Sequence, residues 1–78
     1  MILLRKDTET VFKELFSNSD TSNRFITLYE LETITGFDGY KLRGCVEDLK
    51  DIGFAVEEER GVQITGSGRD EAGTRWVD

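Results

Sequence analysis

The sequence predicts an α+β fold, a three-helix core followed by a C-terminal β-hairpin. Three observations carry that expectation. Thr27, with Glu30 three residues on, forms a capping box in front of an apolar stripe. Leu42, Cys45, Val46 and Leu49 recur at i, i+3, i+4 and i+7, the spacing of one buried helix face. Two short alternating segments, Phe54-Ala55-Val56-Glu57 and Val62-Gln63-Ile64-Thr65, flank the turn sequence Glu58-Glu59-Arg60-Gly61 and read as a hairpin.

The first helix is expected over residues 7 to 16, where Val11, Phe12, Leu15 and Phe16 form a stripe and Lys13 and Glu14 lie off it. Residues 17 to 23 contain no apolar side chain and are rich in groups that compete for backbone hydrogen bonds, so they read as a loop. Arg24-Phe25-Ile26 reads as extended, with Ile26 placed as a hydrophobic staple ahead of Thr27. A cap of this kind contributes about 1 kcal/mol. The second helix keeps Leu28, Leu31 and Ile34 on one face and ends at Gly36, which suits a left-handed C-cap. Asp38 caps a third helix that runs to about residue 52, and Gly53 ends it. Ser67 to Ala72 is expected to form a short final helix, with Gly73 leading to a tail that bears Trp76 and Val77. Ile2-Leu3-Leu4 and Trp76 have no assigned place in so small a core; they either pack on the first helix or form a dimer seam.

At 78 residues the chain is expected to be a single domain over 1–78, with a core at about 7–72 and termini 1–6 and 73–78 as candidate dimer elements. A chain of this size buries roughly 60% of its unfolded surface, a marginal core that a partner subunit would stabilise. Cys45 is the sole cysteine and histidine is absent, so neither an internal disulfide nor a Cys/His metal site is expected, and no cofactor is assigned. A reducing cytoplasm fits that usage. The apolar start is followed at once by Arg5, Lys6 and Asp7, the reverse of signal-peptide order, and no membrane span is expected. An enzyme is not expected: there is no paired cysteine and no nucleophile with a recognisable base. The acidic pairs Glu47-Asp48 and Asp70-Glu71 are adjacent, so on helices they point apart.

Net charge is −6, and it is unevenly spread. Residues 1 to 46 carry six basic and seven acidic side chains, whereas 47 to 78 carry four and nine. A basic face is the footprint of a nucleic-acid binder, and the low pI of the chain argues against one.

The order of elements, with Thr27-Leu28-Tyr29-Glu30-Leu31 before Ile34-Thr35-Gly36-Phe37 and then Val46, Leu49 and Ile52-Gly53-Phe54, resembles the winged helix-turn-helix domains of small bacterial and archaeal transcription regulators. Ile64-Thr65-Gly66-Ser67-Gly68-Arg69 is similar to the apolar-Thr-x-x-Gly segment that follows the wing in regulators of the multiple-antibiotic-resistance type. The resemblance covers about residues 7 to 72. It implies a third helix that enters the DNA major groove and a hairpin wing that touches phosphates or the minor groove. Carried onto this chain, the groove-facing positions are Gly39, Tyr40, Lys41, Arg43 and Gly44, with Glu47 one turn later. Lys41 and Arg43 suit guanine edges or phosphates, and Tyr40 suits a phosphate or a thymine methyl. Gly44 leaves room for close approach, and Arg24 and Arg60 are weaker phosphate candidates. The implied function is a small cytoplasmic transcriptional regulator that binds double-stranded DNA, as a homodimer if the termini form a seam.

The departures define an alternative. Wings of that family usually bear Lys or Arg, but this one carries Glu57, Glu58 and Glu59 beside Arg60, and the third helix adds Glu47, Asp48 and Asp51. Such a surface suits a protein-interaction module that binds or inhibits a basic, nucleic-acid-processing protein without binding DNA. Cys45 reads as a small core residue. Gly44 within a helix costs about 1 kcal/mol relative to Ala, so it implies either DNA approach or close helix packing. Gly66-Ser67-Gly68 lacks the Lys of a phosphate-binding loop and reads as a helix entry.

Overall fold

In the computed structural model, which describes residues 3–19 and 24–76, helix α1 spans Lys6–Asn18 and buries Val11, Phe12 and Leu15 completely. It runs through Ser17 and Asn18, two residues further than the polar composition implies, because the Asn18 side chain donates to the Glu14 carbonyl at 2.8 Å. Residues 20 to 23 of the expected loop, with Ile2 and Val77, lie outside the described residues.

Helix α2 (Leu28–Thr35) starts where the capping box places it: the Glu30 amide donates to Thr27 Oγ1 at 3.0 Å. The reciprocal half of the box is replaced, since the Glu30 carboxylate turns to Arg24 at 3.1 Å. Ile26 and Leu31, the two staple positions, are both fully buried in one core. Gly36 closes the helix at φ 76°. Helix α3 (Gly39–Asp51) is capped by Asp38, whose carboxylate accepts from the Lys41 amide at 2.8 Å. Its Leu42, Cys45, Val46 and Leu49 all face the core.

Strand β1 (Ala55–Glu58) pairs antiparallel with β2 (Gly61–Ile64) in the register Ala55 with Ile64 and Glu57 with Val62. Side chains alternate across a strand, so Ala55, Glu57, Val62 and Ile64 share the inward face. Ile26 joins the edge of β2 through two 2.8 Å bonds with Val62, an isolated antiparallel bridge.

Helix α4 (Gly66–Trp76) is longer than expected, and it makes the core one of four helices, not three. Thr65 builds its entry: its hydroxyl donates to the Gly53 carbonyl at 2.6 Å and accepts from the Gly68 amide at 3.0 Å. Gly68 is buried so closely that a Cβ there would collide with the Phe54 carbonyl oxygen. The tail residues Gly73 to Trp76 are helical, and Trp76 packs on Phe12 and Phe16 of α1, at 5.2 and 6.4 Å between ring centroids. Packing on the first helix thus occupies this aromatic group.

Among the described residues the chain is α+β, four helices and one antiparallel hairpin, a layout compatible with a winged helix. None of the helices described is long and apolar enough to cross a membrane.

Candidate functional site

With four of its residues committed to the core, α3 leaves Tyr40, Lys41, Arg43, Gly44, Glu47 and Asp48 on its outer side. Tyr40 is 94% exposed, on the first turn beyond the Asp38 cap. The Lys41 ammonium lies 5.0 Å from the Phe37 ring centroid and 3.6 Å from the Asp7 carboxylate. Both partners of that ion pair are about half exposed, and such a pair is worth about 0 to 1 kcal/mol, so Lys41 is easily recruited by another anion. A shallow depression runs between the starts of α1 and α3, lined by Arg5, Asp7, Tyr40, Lys41, Gly44 and Cys45. A Cβ built on Gly44 would meet only the Arg5 guanidinium, at 3.6 Å, an ordinary contact among the described residues. Close helix packing therefore does not account for Gly44.

Arg43 stands differently. Its two terminal nitrogens donate to both oxygens of Glu57, at 2.8 and 2.5 Å, and one of them also reaches Glu47 at 3.0 Å. Lys50 donates to the same two carboxylates at 3.1 Å each. The hairpin register produces this cluster: Glu57 lies opposite Val62 on the inward face, with its side chain 20% exposed. Glu57 thus belongs to the strand, which ends at Glu58, and the turn itself carries Glu59 and Arg60. The Arg43 fork holds the Glu57 carboxyl far below the carboxylate range, at about 2, against the opposing effect of burial and with further help from Lys50. Arg43 and Lys50 are raised in turn, each chiefly by its hydrogen bond to Glu57.

Asp48 is likewise engaged, accepting from the buried Thr8 hydroxyl at 2.7 Å and from Arg5 at 2.6 and 2.8 Å. Its pKa is lowered, first by Thr8 and then by Arg5. Arg24 forks onto Glu30 at 3.1 and 3.3 Å. Arg60 bonds Glu58 at 3.2 Å and lies 4.0 Å over the Phe25 ring, so the turn docks on the segment that leads into α2. Glu58 and Glu59 remain exposed. Cys45 is buried in the core, which raises its thiol pKa.

The structure thus brings Tyr40, Lys41 and Gly44 onto one open strip and withdraws Arg43 from it. Arg5, at the edge of the same depression, carries no motif signal in the sequence because it precedes any periodic segment. The Arg43, Glu47, Lys50 spacing of i, i+4 and i+7 was a legible signal of local pairing, but Glu57 enters only through the hairpin register. Comparison with family models, curated proteins and solved structures finds no match to this chain.

Proposed function

We propose that the chain is a winged-helix regulator that docks on duplex DNA with the first two turns of α3. The observation that carries this reading is the open strip itself: a capped helix start with Tyr40 94% exposed, Lys41 in a weak and exchangeable pair, and a mid-helix Gly44 that no packing among the described residues requires. A helix interior keeps such a glycine at a cost of about 1 kcal/mol, and close approach of a phosphate backbone is a reason to keep it. Contact is confined to the strip, because Arg43 is engaged and the wing turn is acidic. The test is a Tyr40→Ala, Lys41→Ala double variant against a selected duplex. A loss of about tenfold or more, with a salt slope shallower by about 1, is expected. Full retained affinity sinks the assignment.

One observation favours a second reading, a module that binds a basic protein. Glu58 and Glu59 are exposed at the turn, and the neighbouring Arg60 is drawn to Glu58 and Phe25. Glu58→Lys with Glu59→Lys separates the two, with Glu57 left intact because it holds α3 to the hairpin. Duplex docking gains from the reversal, whereas a basic partner is lost.

A further inference from the structure

We infer that Glu57 sets the strength of duplex binding by competing with the phosphate backbone for Arg43. This rests on the duplex reading above. A guanidinium offers its donors in one rigid planar fork, and the geometry that suits a carboxylate is the geometry that suits a phosphate or a guanine edge. Glu57 fills the terminal nitrogens of that fork, and Glu47 shares one of them. Arg43 therefore reaches DNA only after leaving Glu57.

Three features keep the competitor in place. Glu57 is on the inward face of β1 by register, so its side chain starts from the α3 side of the hairpin. Lys50 donates at 3.1 Å to Glu57 Oε1, the oxygen that one Arg43 nitrogen also reaches, and adds a second positive charge to the carboxylate. The hairpin is fastened on its other edge by the paired Ile26 and Val62 bonds. With its pKa at about 2, Glu57 stays ionised at neutral pH, so mild acidification does not open the contact. Release requires a competing anion or movement of the hairpin. By contrast, among the described residues Lys41 has only its half-exposed partner Asp7 and the Phe37 ring to leave. The outer side of α3 thus carries, on its two flanks, one cation in a weak, exchangeable pair and one that is held in reserve.

The test uses the full chain and a mixed-sequence duplex of about 20 base pairs, titrated from about 50 to about 200 mM salt. Glu57→Gln should raise affinity about tenfold and steepen the salt slope by about 0.9, the signature of one more neutralised phosphate. Glu58→Gln removes the same charge from the same hairpin and should raise affinity about twofold or less, since that carboxylate is exposed and screened. Arg43→Gln should change wild-type affinity less than about twofold, yet cancel the gain in the Glu57→Gln background. Should Glu57→Gln loosen the fold, Glu57→Asp keeps the net charge while shortening the reach to Arg43, and a gain that Arg43→Gln abolishes is again expected. Equal gains from the two Gln variants, no gain from Glu57→Asp, or a gain that survives Arg43→Gln overturns the inference. If any of these occurs while binding still depends on Lys41, the duplex reading stands alone. No duplex binding by any variant at low salt overturns both.

Discussion

The buried Thr8 hydroxyl donates a 2.7 Å hydrogen bond to the Asp48 carboxylate, tying the start of α1 to the outer side of α3 across forty positions of sequence. Asp48 receives Arg5 as well, so one carboxylate serves two donors. Thr8→Val removes one donor and keeps the shape, at an expected cost of about 1 kcal/mol. Asp48→Ala leaves a buried hydroxyl without its acceptor and should cost about 2 to 3 kcal/mol. Urea denaturation of the two variants checks the order; equal costs would mean that the hydroxyl finds another partner.

Acid should weaken the fold in a defined window. Glu57 is lowered from its ordinary 4.5 to about 2 by the Arg43 fork, and Asp48 is lowered by Thr8 and Arg5. A carboxylate with a depressed folded pKa stabilises the native state fully above its unfolded value, and that contribution disappears as pH falls through the folded one. For Glu57 the loss runs from about 4.5 down to about 2. Melting temperature followed across that range should fall in wild type and fall less steeply in Glu57→Gln.

Two glycines should respond in opposite directions. Gly44→Ala meets nothing tighter than the Arg5 guanidinium at 3.6 Å and should stabilise the fold by up to about 1 kcal/mol, while weakening duplex affinity if a phosphate backbone passes over it. Gly68→Ala drives a methyl into the Phe54 carbonyl and should cost about 2 kcal/mol or more. Thermal melts read the first difference, and a stabilised Gly44→Ala that binds duplex as well as wild type would argue against close approach at that turn.

Trp76→Ala should cost about 2 kcal/mol, because the partly buried ring packs against both Phe12 and Phe16 at the junction of α1 and α4. Circular dichroism with denaturant measures it. A cost below about 1 kcal/mol would mean that α4 is dispensable to the core.

Local chemistry was the legible part of this fold. The Thr27 and Asp38 caps and the inward face of α3 each depend on residues within a few positions of one another, and all are where spacing places them. Ile34 departs from its stripe, being 37% exposed, because the eight-residue α2 carries it past the core in its last turn. Helix α4 is longer than its sequence pattern implies because Gly66, Gly68 and Gly73 dilute both propensity and periodicity; what starts it is Thr65 bridging Gly53 and Gly68, a contact between separate segments. In the candidate site, Tyr40, Lys41 and Gly44 follow from helix geometry alone. The engagement of Arg43 does not, since a one-residue slip in the hairpin would turn Glu57 outward.

The ring of Phe12 stacks on Phe54 at 5.1 Å and meets the edge of Trp76 at 5.2 Å. Its neighbours therefore come from the middle and the far end of the described chain, and Arg75 adds a second link of the same span by reaching Glu9 at 3.0 Å. During synthesis Phe12 leaves the ribosome long before either aromatic partner. It is the first of the three rings to emerge, and its cover is complete only when Trp76 arrives.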